Sequence, residues 1–497
     1  MHVQSAQSPL PSHAASSADG AFPNRPIPVR KGRPVIGSTI EFQKDQLGFV
    51  QDIHRDYGDV VKTNISLMDW YFVRDPEIIH EINVRQAKTF VKPALAKRIW
   101  KLFLGDGILT ADGEVWKRQH DLIKPGFHRH RVEAYGPVMV EYAQQMLKGF
   151  AEGEARDMRH EINGLAIRIL GRTLFAADMD SAADTVYNAM HDISEILVEH
   201  INLPLPTPRW WPSKSNRRKI DAIEAIEGVL KRLIADRRCE GTDAGDLLSH
   251  LIFARDKEGG LSEEQLRDNG MTLIFAGHET TAHAMTWAWY LLAKYPEVAE
   301  KLYQEVRSVC GDQPVNVEHL EHMPYVTQVM KESLRFLPSV WAFMRAPTED
   351  ITIKGYTFPK GAAIFISPYV LGRDPRNHPD ADKYTPERWT RDYERNLPKG
   401  AYVPFAAGPR VCAGQGFAQM EMKLLLATFV QNLVPTLADG FEPDLVPELS
   451  LHPGKRGCSA RWCSARMPRC ARAETRAHHA PKGTWLPRLE RRESRGS

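Results

Sequence analysis

Apolar side chains along this chain of 497 residues recur chiefly at helical spacing. Val186, Met190, Ile193 and Leu197 line one face of a predicted helix, and Ile223, Ile226, Leu230 and Leu233 line another. Most of residues 114–238 follows this amphipathic pattern. Residues 203–212 interrupt it with Pro204, Pro206, Pro208 and Pro212, so they are predicted to be a loop in which Trp210 and Trp211 pack. Strand-like stretches are few: 60–65 with 70–73, then 351–358 and 362–367 around turns at Gly355 and Pro359-Lys360-Gly361. Asp75-Pro76 opens a helix through Ile78, Ile79 and Ile82. No βαβ alternation appears, and the fold class is mainly α with a minor β part, as one large domain.

The longest predicted helix starts at Ser262, whose spacing to Gln265 makes a capping box, and runs to about Lys294, before Tyr295-Pro296. Within it, residues 271–292 carry one formal charge, Glu279. That length would permit a membrane span. His278, Glu279, His283 and several threonines near its middle argue instead for a buried central helix of a large domain. A further apolar helix is predicted from about Gln415 to Gln431.

Composition changes this picture at the two ends. Residues 1–34 hold six prolines, five serines, one acid and one aromatic, and are expected to form a flexible leader. They lack the basic and apolar regions of a secretory signal, which predicts a cytoplasmic protein. Six irregularly spaced cysteines make no disulfide framework. The net charge of +3 hides an asymmetry: residues 455–497 carry +9, leaving −6 on the remainder. The single large domain is therefore bounded at 35–454, and 455–497 is expected to be a disordered basic tail. Its abrupt turn to Arg, Cys, Ser and Pro resembles an out-of-frame reading of a coding sequence, in which case a final apolar strand is missing. Zinc ligation by Cys458, Cys463, Cys470, His478 and His479 lacks a C-x2-C pair, and nucleic acid or anionic membrane is a weak alternative for twelve basic residues.

The densest chemistry lies in residues 404–414, PFAAGPRVCAG, before the last long helix. A cysteine at a helix N-terminus has its thiolate favoured by free N–H groups, and could be a nucleophile, a redox thiol or a metal ligand. The string fits F-x-x-G-x-R-x-C-x-G through Phe405, Gly408, Arg410, Cys412 and Gly414, and so resembles the cysteine-ligand loop of the cytochrome P-450 family. Ala406 stands where many members have Gly. Three further stretches are similar to the family's, in its order: Ala276-Gly277-His278-Glu279-Thr280-Thr281, the E-x-x-R pair Glu332 and Arg335, and Tyr384-Thr385-Pro386-Glu387-Arg388-Trp389. Residues 372–375, GRDP, are a weaker match.

The resemblance implies the P-450 fold and haem b, with Cys412 as axial ligand of the iron. It implies that Glu332, Arg335 and Arg388 lock the core beneath the haem, without part in bond-making. Thr280 is implied to hydrogen-bond the oxygen being activated, and Glu279 to supply protons. Small Ala276 and Gly277 are expected to leave room beside the helix. Trp116 and His120, one turn apart in a segment like the family's W-x-x-x-R/H, are candidate donors to the haem propionates, with Arg410 and Arg345. Residues 90–109, 203–212, 273–276 and 340–343 are expected to wall the substrate pocket, Ala276, Val340 and Phe343 among them.

The implied activity is monooxygenation of a lipophilic small molecule, by C–H hydroxylation or epoxidation, with O2 as co-substrate. No flavin or nicotinamide fingerprint is present, so electrons from NAD(P)H are expected through a separate reductase and a ferredoxin or flavodoxin. Lys117, Arg118, Arg129 and Arg131 are a candidate docking face for such a carrier. The protein is expected to be monomeric, without nucleic acid. Alternatives are a haem-binding sensor without turnover, and isomerisation or dehydration of a hydroperoxide; neither has use for Glu279 beside Thr280.

Overall fold

The computed structural model describes residues 22–151, 155–176, 183–202, 213–241, 243–438, 441–454 and 462–466. The Pro-Trp loop at 203–212 and most of the tail therefore lie outside the described residues, as do the first 21 positions and four of the five zinc-candidate residues. Helices predominate. The capping box forms as the spacing predicts: Ser262 Oγ accepts from Gln265 N and Gln265 Oε1 from Ser262 N, both at 3.1 Å. The central helix then runs Glu263–Lys294 and is buried along most of its length, including the rings of Trp287, Trp289 and Tyr290. Among the described residues no helix is long and apolar enough to cross a membrane.

Two predicted strands become Val60–Ile65 and Met68–Val73, paired antiparallel from Val60 opposite Val73 to Ile65 opposite Met68. They belong to a six-stranded sheet whose order is Val29–Arg30, Val60–Ile65, Met68–Val73, Ala363–Ile366, Phe343–Pro347, Phe90–Val91. Two departures from the sequence reading appear at the chain's ends. The leader, expected to be flexible up to residue 34, already joins this sheet through Val29 and Arg30, and Arg25 N donates to Gly355 O at 2.8 Å. In the tail, Trp462–Arg466 forms a strand between Leu433–Pro435 and Ala155–Arg156, a place the reading had left without a strand. Backbone pairing supplies what side-chain alternation did not advertise.

The E-x-x-R pair is the most completely satisfied charge in the core. Glu332 and Arg335 lie on helix Pro324–Phe336, and both side chains are fully buried. Arg335 spends all five N–H donors: on both Glu332 oxygens at 2.8 Å, on Ala381 O and Lys383 O at 2.9 Å, and on Gly372 O. Glu332 also accepts from Arg388 Nε at 3.0 Å, Thr385 N at 2.8 Å and Trp389 Nε1 at 2.9 Å. Burial alone would raise the carboxyl of Glu332, but the bond to Arg335 and the charges of Arg335 and Arg388 hold it below its ordinary value.

Replacing one member of such a cluster leaves a buried charge uncompensated, so Glu332→Gln should destabilise the protein by about 3–5 kcal/mol in denaturant unfolding. Because the folded value is depressed, the wild-type contribution is complete above pH 4.5 and lost as pH falls through the lower folded value. The variant should lack that acid-side loss.

The candidate active-site cleft

Cys412 ends a tight loop that two backbone features shape. Gly408 has φ of 68°, and a Cβ there would collide with the carbonyl of Asn83. Ala406 has φ of 58°, a left-handed conformation that costs an L-residue about 1–2 kcal/mol, which explains why glycine suits this position. Cys412 N closes the loop by donating to Phe405 O at 3.0 Å, and Gly414 is the N-cap of helix Gln415–Asn432. Burial pushes the Cys412 thiol above its ordinary value, outweighing the Gly414 N–H that pulls it down. The helix N-terminus therefore does not by itself make a thiolate here, contrary to the sequence expectation. Yet Cys412 as a residue is exposed. A bound metal ion reaching it would supply the positive charge that ionises the thiol.

The central helix shows a matching opening. Phe275, His278 and Glu279 are buried, whereas Ala276 is exposed and Thr280 partly so. The Thr280 hydroxyl donates to Ala276 O at 2.7 Å, as expected for a threonine competing for a helix carbonyl, and the helix continues through it. Gly277 does not leave room, as had been expected: a Cβ there would strike Leu170, so it serves close packing against helix Met158–Leu174. Val340 and Phe343 are half-buried, and Trp100 packs edge-on against Phe275 with centroids 5.5 Å apart.

The candidate haem-carboxylate donors converge. Trp116 and His120 lie with ring centroids 5.0 Å apart and planes tilted by 31°, and the Arg410 guanidinium lies 3.9 Å from the Trp116 centroid. Arg410 donates to Asp112 Oδ1 at 2.7 Å and Ala111 O at 3.0 Å. Arg345 sits inside strand Phe343–Pro347 and donates to Met344 O at 2.9 Å. Lys92, which sequence reading missed, joins them. Strand pairing sets Phe90 opposite Pro347 and Val91 opposite Ala346, so the next step along the register brings Lys92 to Arg345.

These cations repel. Burial first, then the Arg410 and Arg345 charges, push Lys92 down to about 7, with Asp112 opposing. Burial and Arg410 likewise push Arg345 down to about 10, and burial lowers Arg410. Three half-buried cations share one nearby carboxylate, Asp112, which also binds Lys97 at 3.1 Å. The deficit is of negative charge, and a ligand bearing two carboxylates would remove it. With a cysteine in the same cleft, this donor set fits haem.

Other residues hold the pieces in register. Asp268 and Asn269 on the central helix accept from Asp106 N at 2.6 Å and Ile108 N at 2.8 Å, pinning the loop that leads to Trp116. Asp268 and Asn269 close the mostly polar stretch 263–269 that opens the helix, so nothing in the sequence set them apart from exposed polar residues. The candidate docking residues do not form a free basic face: Lys117 pairs with Asp121, Arg118 with Asp256, Arg129 with Glu133 and Arg131 with Asp243.

The fold and this cleft define a haem-thiolate protein, and comparison with known proteins gives the family. The family model described as Cytochrome P450 matches residues 27–456. Cyclooctatin synthase of Streptomyces melanosporofaciens is 31% identical over 427 residues, 85% of this chain and 93% of that protein. Cyclooctat-9-en-7-ol 5-monooxygenase of the same organism is 28% identical over 402 residues, 80% of this chain and 87% of that protein. The solved structure of retinoic acid-bound cyanobacterial CYP120A1 superposes with a TM-score of 0.79 at 26% identity, covering 90% of this chain and all of that one. The chain belongs to the cytochrome P450 family.

Two outcomes test the cleft. Lys92→Met should raise the thermal midpoint of the haem-free protein, by removing a repelled charge, while lowering haem retention, read as Soret-to-protein absorbance after gel filtration. Ala406→Gly should stabilise the holoprotein by about 1 kcal/mol in thermal unfolding, the relief of left-handed strain exceeding the added chain entropy.

Proposed function

We propose that this cytochrome P450 monooxygenase oxidises a lipophilic, terpenoid-like small molecule at a C–H or C=C bond, with electrons delivered from NAD(P)H through a separate ferredoxin or flavodoxin. Haem bound through Cys412 supplies dioxygen activation, the thiolate favouring cleavage of the O–O bond. Trp116, Arg345, Arg410 and Lys92 hold its carboxylates and cancel their charge, with His120 stacked on Trp116 beside them. Ala276 leaves the space beside the reacting bond open. Thr280, whose hydroxyl can leave the Ala276 carbonyl, donates a hydrogen bond into that space. Glu279 carries the proton that Thr280 passes on.

The observation that carries this reading is the accessible turn Ala276–Thr280 on an otherwise buried helix, with a carboxyl next to it. Burial holds the Glu279 carboxyl above its ordinary value, against the Ser450 bond that lowers it, which suits a group that must hold a proton and then release it. A sensor would need neither group. The substrate class is supported by the apolar residues expected to wall the pocket and by relatives named for cyclooctatin and for an unsaturated cyclic alcohol. The chain's own location is proposed as cytoplasmic and its state as monomeric.

Reduced holoprotein under carbon monoxide should show the red-shifted Soret band of a thiolate-ligated haem, and Cys412→Ser should lose it. Thr280→Ala should keep that band and substrate binding yet divert most reducing equivalents to hydrogen peroxide. A cyclic terpene alkene, added to the ferric protein, should shift the Soret band at lower concentration than a straight-chain fatty acid does.

A further inference from the structure

Asp112 occupies the N-cap of helix Gly113–Ile123, where an aspartate ordinarily accepts from the first free N–H groups of its own helix. It makes no such bond. Its two oxygens are directed elsewhere: Arg410 Nη2 donates to Oδ1 at 2.7 Å, and Lys97 Nζ to Oδ2 at 3.1 Å. The Asp112 side chain is 12% exposed, against 17% for Arg410 and 30% for Lys97, so solvent screens these pairs only in part. A residue suited to capping a helix has been turned into a bridge.

The bridge joins two parts of the cleft. Arg410 stands two residues before Cys412 in the cysteine loop, and its guanidinium covers the ring of Trp116. One of its five N–H groups goes to Asp112 and one to Ala111 O; among the described residues no acceptor takes the other three. Lys97 lies on helix Ala94–Leu104, about one turn before Trp100, whose ring meets Phe275 next to the exposed Ala276. Lys92 precedes that same helix. Burial and the charge of Arg410 lower both Lys92 and Arg345, and the charge of Asp112 opposes the lowering in each.

We propose that Asp112 is a positioning residue that ties helix Ala94–Leu104 to the cysteine loop through Lys97 and Arg410, while its charge tempers the cleft's demand for anions. The proposal rests on Arg410 being a donor to the haem carboxylates. The helix lies within residues 90–109, which are expected to wall the substrate pocket, so one carboxylate holds that wall and the haem cradle as a unit. With Asp112 in place Arg410 is fixed by two bonds on one side and keeps its remaining donors for the ligand. An anion in this cleft also favours the more positive, ferric state of the iron, so Asp112 holds the reduction potential below the value the cations alone would set. Asp112 touches neither the iron ligand nor the reacting bond, and it acts through Arg410 and Lys97.

The test uses the holoprotein. Hydrogen exchange read by mass spectrometry follows helix Ala94–Leu104, and spectroelectrochemical titration gives the midpoint potential of the iron. Asp112→Asn and Lys97→Met should each speed exchange in that helix at least about tenfold, and the double variant should be no faster, because the same tether is cut in all three. The potentials should move in opposite senses: upward in Asp112→Asn, which removes an anion, and downward in Lys97→Met, which removes a cation. Asp112→Glu, which keeps the charge, should hold the wild-type potential. A side chain that only supports the fold would not produce this opposition. Lys97→Met alters a partly exposed side chain, so it reads the tether even if Asp112→Asn fails to fold. Wild-type exchange in the Lys97 variant overturns the tether, and a potential that fails to rise in Asp112→Asn or fails to fall in Lys97→Met overturns the charge role. Wild-type haem retention in Arg410→Met, read as Soret-to-protein absorbance after gel filtration, would instead overturn the reading of Arg410 as a haem donor.

Discussion

The pairing of Glu332 with Arg335 inside helix Pro324–Phe336 is the constraint on which the surrounding structure depends. A guanidinium with five donors cannot be buried unless five acceptors meet it, and here they come from Glu332 and from the carbonyls of Gly372, Ala381 and Lys383. Those carbonyls belong to an irregular stretch that has no strand or long helix to hold it. The charge therefore organises loops that hydrophobic burial alone would leave with many alternatives. Arg388 and Trp389 close the other side of Glu332, so one carboxylate fixes segments more than fifty residues apart in sequence.

Charge is handled in the opposite way at the cleft. Lys92, Arg345 and Arg410 are brought together with too few acids, and their mutual repulsion lowers each one's hold on its proton. The carboxylates of a bound haem would cancel this cost, and the charge balance of the site favours a dianionic ligand. Cys412 follows the same logic, being a thiol that burial keeps protonated until a metal ion is present. Core and cleft thus differ in one respect. The first is neutralised by the protein itself, and the second only by its ligand.

The central helix joins these regions and gives its neighbouring residues Glu279 and Thr280 different surroundings. Thr280 turns toward open space, while Glu279 is held among Ser194, Ser450 and His283. The C-terminal segment 448–453 is therefore more than a cover. It binds Trp287 Nε1 through Leu451 O at 2.7 Å and Trp341 Nε1 through Glu448 O at 2.8 Å, which fixes Ser450 against the helix.

Much of this was legible in the sequence. Local rules determined the central helix through its capping box, the mainly helical class through apolar spacing, and the family through the Phe405–Gly414 string with its companion motifs. Residues whose roles depend on neighbours close in sequence, such as Trp116 with His120 or Glu332 with Arg335, could be paired by turn geometry alone. Tertiary structure decided the rest. Lys92 reaches Arg345 only through strand register, Asp112 reaches Arg410 across almost three hundred residues, and Gly277 is filled by Leu170 instead of leaving space. The leader's strand and the strand at Trp462–Arg466 exist because backbone partners are waiting for them. Sequence spacing encodes contacts within a turn or two, whereas the partner of a buried charge or an unpaired strand is chosen by whatever the folded chain places opposite it.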